Sequence, residues 1–516
     1  MAIIVSGPTP ASKPAPLSWP APSSCIPALV SLLSEVNSSD PASQLSGVQG
    51  VRKLLSIAVN PPIQDVIDSG VIPRLVHLLS SSDQPSLQFE CAWALTNVAS
   101  GTSVQTSVVL TSGAVPIFVR LLGSRTSPDD LKENCVWALG NIAGDGPSNR
   151  DAVLQHGALA PLLTVIDEYA NPCPISLLRQ CVWCLSNLTK GKAGSRVSLQ
   201  HVSACLPSLA RVLEQHTADV SVVADALWCF SYLTEGENAR IEAVLSTGVM
   251  PRLAALLLHP SESVHVPALR AVGNVVTGDD VQTSAAISAG ALQGLHALLS
   301  SGKVTVRKEA CWALSNVAAS QKHEHIQVLI DSGAVKPLVC MLRDDTREVK
   351  KEVLFVFGNA LAGGSDDQVK YLVSEGCLTP ICNAVSILRD DKPMSQAVLQ
   401  ALDGLINSLK VGERAACKDL VGERAVVERI DETDVLLDTI ARLAMAMCGE
   451  IQAKAKLLKD HFLSFFLSYL RSSVALSPVP LVFGEELGPV EESHPSYKLC
   501  QIVKEVRSAD VAVAVK

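Results

Sequence analysis

An apolar run that follows glycine recurs seven times along the chain, and this recurrence limits the fold more than any other feature. It reads SGVIPRLVHLL from Ser69, SGAVPIFVRLL from Ser112, HGALAPLLTVI from His156 and TGVMPRLAALL from Thr247. It continues as AGALQGLHALL from Ala289, SGAVKPLVCML from Ser332 and EGCLTPICNAV from Glu375. The glycines are Gly70, Gly113, Gly157, Gly248, Gly290, Gly333 and Gly376, and a unit between Gly157 and Gly248 carries Ala204 instead. Successive steps are 43, 44, 47, 44, 42, 43 and 43 residues. A unit of this size cannot bury its apolar face alone, so neighbouring units must stack in one dimension.

A second phrase runs in step with the first: CAWALTNVASG from Cys91, CVWALGNIAGD from Cys135, CVWCLSNLTKG from Cys181 and ALWCFSYLTEG from Ala226. It returns as ALRAVGNVVTG from Ala268, CWALSNVAAS from Cys311 and VLFVFGNALAGG from Val353. Each unit therefore reads as a long helix, a small-residue turn, a short helix, a glycine break and a second amphipathic helix. The glycines are read as structural, serving the tight turns. A period near 43 belongs to the all-helical armadillo or HEAT class. The expected fold is all-α, an armadillo-type right-handed superhelical solenoid of about ten repeats with one concave face. Residues 25–472 are expected to form it, strongly over 51–385 and in degenerate form over 386–472, with a partial first repeat from Cys25 to Leu79. Capping helices are expected at Val398 and from Asp434 to Leu470. Residues 1–24, rich in Pro, Ser and Ala, are expected to be disordered, and residues 473–516 read as a linker and tail.

Three columns of the second phrase share one helix face: an aromatic, a polar residue three before it and an amide four after it. The aromatic column runs Trp93, Trp137, Trp183, Trp228, Arg270, Trp312, Phe355, and the amide column Asn97, Asn141, Asn187, Tyr232, Asn274, Asn316, Asn359. The polar column is Glu90, Asn134, Gln180, Asp225, Pro267, Glu309 and Glu352. Of the 6 tryptophans, all but Trp19 occupy the ladder position. A core needs generic aliphatic volume rather than one indole repeated, and Asn is mildly unfavourable inside a helix. An extended basic peptide suits such a ladder. Amides can clamp main-chain N–H and C=O groups, and the gaps between indoles accept Lys or Arg stems. Carboxylates such as Asp145, Asp225, Glu309 and Glu352 then meet the charged heads. Helices about 8–10 Å apart, against an extended rise of about 3.3 Å, allot roughly three peptide residues to each repeat.

Charge agrees with a basic partner. There are 42 basic and 51 acidic residues, a formal net charge of −9, which disfavours phosphate-backbone binding and so direct nucleic-acid contact. No signal peptide or membrane-spanning run is apparent, and a soluble intracellular protein is expected. Cys91, Cys135, Cys229 and Cys311 fall in apolar helical patterns and read as buried thiols. Cys181 and Cys184 form a solitary C-x-x-C without a second ligand pair, so no metal is expected. His323-Glu324-His325 reads as a solvated turn. No nucleophile elbow, P-loop or dinucleotide fingerprint is present, and neither an enzyme nor a cofactor is expected.

ALTNVASGTSVQT from Ala94, WALGNIAGDGPSNRD from Trp137 and AVGNVVTGDDVQT from Ala271 make the chain resemble the importin α (karyopherin α) family of nuclear-import adaptors. The resemblance is strong over Val51 to Gly364 and weaker to about residue 470. It implies a major signal-binding groove at Trp93, Asn97, Gly101, Thr106, Asn134, Trp137, Asn141, Asp145, Gln180, Trp183, Asn187, Asp225 and Trp228. It implies a minor groove at Asn274, Thr277, Asp280, Glu309, Trp312, Asn316, Glu352 and Asn359, with Phe355 where the family usually has Trp, giving a shallower outer slot. It further implies basic nuclear localisation signals as ligands, importin β and a recycling exportin as partners, and shuttling between cytoplasm and nucleus. The family's basic importin-β-binding segment has no counterpart in residues 1–50, where Lys13 is the sole basic residue, so that contact is expected to be missing and the groove open. The exportin's acidic patch is not recognisable near Leu420 to Asp460. The alternative is an armadillo scaffold of the adhesion or signalling type, whose grooves take acidic or apolar segments through Lys and Arg.

Overall fold

A computed structural model describes residues 25–80, 84–168, 174–192, 194–388, 391–418 and 450–461, and every regular element among them is helical. After the pair Cys25–Val36 and Pro41–Leu55, units of three helices follow. The first is Ile63–Asp68, Ile72–Leu79 and Pro85–Ala99; the second is Ser103–Thr111, Ala114–Leu122 and Asp129–Asp145. The third helix of each unit packs on the third helices before and after it, so Pro41–Leu55, Pro85–Ala99, Asp129–Asp145, Ile175–Thr189, Val220–Leu233, Glu262–Val275, Val304–Ala319, Arg347–Gly363 and Ser395–Lys418 form a continuous inner layer. The second helices, such as Ala114–Leu122, back onto that layer and onto one another.

Local chemistry sets the breaks. Gly70, Gly113, Gly157, Gly248, Gly290, Gly333 and Gly376 all have φ between +74° and +85°. At Gly113 the left-handed residue is the N-cap of Ala114–Leu122, a conformation a Cβ disfavours by about 1 kcal/mol. Where Ala204 replaces glycine, a 3-10 turn over Ser203–Cys205 joins the two helices instead. First helices are fastened by capping boxes at Thr102/Gln105, Asp279/Gln282 and Ser365/Gln368, each satisfying backbone donors at the helix start.

An inner helix is enclosed nearly all round. In Pro85–Ala99, Leu87, Cys91, Ala92, Ala94, Leu95, Val98 and Ala99 are buried; each large aliphatic side chain so enclosed contributes about 1.5–3 kcal/mol. Beyond the exposed first residues Pro85 and Ser86, only the stripe bearing Phe89, Trp93 and Asn97 keeps partial exposure. Cys91, Cys135, Cys229 and Cys311 are buried in this layer, and burial raises all four thiol pKa values. Cys181 and Cys184 are buried too, with the Cys184 thiol pushed up to about 12. Among the described residues no single helix is long and apolar enough to cross a membrane.

One expectation is overturned. His325 lies not in a solvated turn but in helix His323–Asp331, 5% exposed. Its Nε2 is 2.8 Å from the Ser284 hydroxyl and its Nδ1 2.8 Å from that of Ser320. Ser284 belongs to the preceding unit, so the imidazole bolts two repeats together. Of the C-terminal helical expectations, Val398 falls within Ser395–Lys418 and residues 450–461 are helical. Readings that concern residues 1–24, 419–449 and 462–516 lie outside the described residues.

Candidate functional site

The inner layer places the aromatic and amide columns side by side, and a fourth column explains why they repeat. Three residues after each ladder position stands a small side chain: Thr96, Gly140, Ser186, Ser231, Gly273, Ser315, Gly358. Each lies beneath the next repeat. A Cβ on Gly140 would come within 2.3 Å of the Trp183 ring, and one on Gly273 within 2.4 Å of the Trp312 ring. The six-membered rings of Trp183 and Trp312 therefore pack against the preceding helix at these glycines, and both residues keep partial exposure. Sequence reasoning saw the repeated indole and missed the small residue that lets it approach the neighbouring helix.

The amides use the same column. Asn141 Nδ2 donates to the Thr96 carbonyl at 3.3 Å, Asn187 to Gly140 at 3.2 Å, Asn274 to Ser231 at 2.9 Å and Asn359 to Ser315 at 2.9 Å. Asn97 donates to the Ser56 hydroxyl at 3.1 Å. One amide donor is thus committed to the neighbouring helix. Asn274 Nδ2 also donates to the Thr234 hydroxyl at 3.2 Å, whereas the side-chain oxygens of these amides accept no hydrogen bond within the described residues. Asn316 breaks the series, since its Nδ2 is buried without a partner. Tyr232, in place of an amide, stacks on Trp228 with ring centroids 5.8 Å apart.

The polar column lies deeper than its neighbours: Glu90, Asn134, Gln180 and Glu352 are all buried. Asn134 Nδ2 donates to the Asp130 carbonyl at 3.0 Å, whereas Gln180 Oε1 has no partner. Thr106 is also buried, its hydroxyl on the Ala99 carbonyl at 3.0 Å, and it holds the helix end beside part-exposed Gly101. Thr277 donates to the Asn274 carbonyl at 2.6 Å. Pro267 interrupts the column inside helix Glu262–Val275, where it has no N–H to offer.

The carboxylates divide by what already neutralises them. Glu90 is paired with Arg52 at 2.7 Å, Glu309 with Arg270, and Asp280 with Lys322 at 3.3 Å. Asp145 accepts hydrogen bonds from the Ser103 hydroxyl at 2.6 Å and Asn149 Nδ2 at 2.9 Å, both uncharged. Burial pushes Glu352 above the usual carboxylate range, partly offset by Lys351 and Lys308. Asp225 has no ion pair among the described residues, and burial pushes it up to about 7. It is the carboxylate least reconciled with an empty site.

Three ladder members were not legible in the phrases. Arg52 and Ser56 continue the aromatic and amide columns backwards into Pro41–Leu55. Asn407 continues the amide column forwards, its Nδ2 on the Leu361 carbonyl at 2.7 Å. The fragment GLINSL around Asn407 was the available signal for the latter.

Comparison with known proteins agrees with this architecture. The armadillo/beta-catenin-like repeat matches residues 60–100, 102–144, 238–277 and 279–319. A crystal structure of an engineered protein superposes with a TM-score of 0.71 at 24% identity, covering 84% of this chain and 98% of its own, which speaks to the fold alone. Importin subunit alpha-1a of Oryza sativa subsp. japonica is 48% identical over 250 residues, 48% of this chain and 46% of its own length. Importin subunit alpha-4 of Arabidopsis thaliana is 52% identical over 244 residues, 47% and 44% of the two chains. Importin subunit alpha-B of Dictyostelium discoideum is 48% identical over 251 residues, 48% and 47%. Each alignment thus spans about half the length of the curated relative it matches. Armadillo repeats stacked as a solenoid, and identity near one half where these relatives align, make the chain similar to importin α subunits over about half of its length and of theirs.

Proposed function

We propose that the ladder face binds lysine- and arginine-rich segments in extended conformation and that the protein is a non-enzymatic adaptor for nuclear import of cargo carrying such signals. The observation that carries this reading is Asp225, a carboxylate held half-buried and unpaired beside the Trp183–Trp228 interval. A ligand ammonium or guanidinium supplies the charge that the site lacks. Indoles on either side receive the aliphatic stem and attract the cation, and the free amide oxygens accept peptide N–H groups. Four successive tryptophans, Trp93 to Trp228, make the first groove the stronger. Trp312 and Phe355, beyond the interruption at Tyr232 and Arg270, make a second and weaker one. Nuclear import is the role the relatives' names, importin subunit alpha, suggest.

The test is calorimetry with a monopartite lysine-rich peptide and an acidic peptide of equal length. The wild type is expected to bind the first and not the second. The Trp137→Ala/Asn141→Ala double variant removes an indole shared by two slots and one clamp, so an affinity loss of about a hundredfold is expected. Undiminished affinity in the double variant, or preference for the acidic peptide, refutes the reading.

A further inference from the structure

Two arginines stand where the row of indoles would otherwise continue. Counting back one repeat along the ladder from Trp93 arrives at Arg52, and from Trp312 at Arg270. Arg52 Nε donates to Glu90 Oε2 at 2.7 Å and its Nη2 to Oε1 at 3.3 Å. Its guanidinium carbon sits 4.3 Å from the centroid of the Trp93 ring. The two charged side chains are only 15% and 9% exposed. Arg52 therefore already makes the two contacts assigned above to a ligand cation, one with an indole and one with a carboxylate of the polar column. Ser56, four residues on, accepts from Asn97, so this partial repeat has full ladder register. Arg270 repeats the ion pair alone one groove later, with Glu309 of the following repeat, and is 49% exposed.

We propose that Arg52 is a built-in occupant of the slot ahead of Trp93, ending the first groove there and excluding lysine or arginine of the ligand. The inference rests on reading the ladder as a basic-peptide groove. A second cation cannot reach the face of Trp93 that Arg52 covers, and Glu90 is already neutralised, so an incoming ammonium meets repulsion without compensation. The chain thereby sets the register of a basic run: its last charged residue falls between Trp93 and Trp137, and the next position is read as uncharged. Arg52 is a specificity-determining residue in this sense.

The experiment measures, by fluorescence anisotropy on the full chain, the preference for Lys over Ala at each end of a labelled pentalysine core. In the wild type, the end that passes Trp93 is expected to show a preference within about twofold, the level of an exposed, screened charge. In Arg52→Ala and in Arg52→Met, which keeps an apolar stem over the indole, the emptied slot exposes Trp93 and frees Glu90. There the preference at that one end is expected to rise at least about fivefold. Adding Glu90→Gln is expected to cancel most of the gain. The Lys-extended peptide is also expected to raise the unfolding midpoint of Arg52→Ala more than the Ala-extended one, because it neutralises a stranded Glu90. Equal end preferences in wild type and both arginine variants overturn the proposal. Failure of the underlying reading looks different: wild type would then bind the pentalysine core no better than a pentaglutamate peptide, whatever stands at position 52.

Discussion

Asp225 offers the sharpest test of how the groove works, because its chemistry is tied to pH. Burial alone lifts its carboxyl from 3.8 to about 7 in the empty protein. The groups that share its surroundings stay neutral near that pH, since burial pushes Tyr232 up to about 12 and also raises the Cys229 thiol. A lysine ammonium stays charged throughout and, once seated beside Asp225, returns that pKa toward its ordinary value. Binding then selects the ionised carboxylate, which makes up about one part in eleven at pH 6 and about ten in eleven at pH 8. Affinity for a histidine-free lysine-rich peptide is therefore expected to rise about tenfold between those values, with release of about half a proton per peptide at pH 7. Anisotropy titrations at several pH values give the first quantity. Calorimetry in buffers of differing ionisation enthalpy gives the second. Asp225→Asn is expected to flatten both. The same shift acts on folding. A pKa raised in the folded state stabilises the fold fully below the unfolded value near 4, and that stability is lost as pH rises through 7. Ionising Asp225 in the empty groove costs at most about 4 kcal/mol, so the stability of Asp225→Asn relative to wild type is expected to increase from pH 4 to pH 8. A wild-type affinity that does not change with pH, or an equal slope in the Asn variant, refutes this account.

Gly140→Ala places a methyl group where the Trp183 ring lies; the ring must tilt, and affinity for the lysine-rich peptide is expected to fall about tenfold while circular dichroism shows the helices intact. His325 joins two repeats, and burial, with Lys322 nearby, lowers its pKa. A depressed pKa contributes stability above the unfolded value near 6.5 that is lost as pH falls through the folded one, so His325→Gln is expected to reduce the loss of thermal stability between pH 7 and pH 5, measured as the shift in unfolding midpoint.

The solenoid and the ladder were legible in the chain because they rest on repetition. A residue type recurring every 42 to 47 positions beside an apolar pattern needs no knowledge of contacts to be recognised, since each helix sets its own face by the 3.6-residue turn. Gly113 and its equivalents could be read as turns for the same local reason. What the sequence by itself left open lies between repeats, where one helix meets the next in a register that no single helix encodes. Asn141 spends a donor on Thr96, and Trp183 lies on Gly140. His325 is buried against Ser284 rather than solvated, because the facing repeat supplies the partner. Only stacking reveals that Glu90 and Glu309 already hold arginines while Asp225 holds none among the described residues. Charge balance at a site depends on which side chains are brought within a few ångströms and how much water is displaced, and those are properties of the packed array.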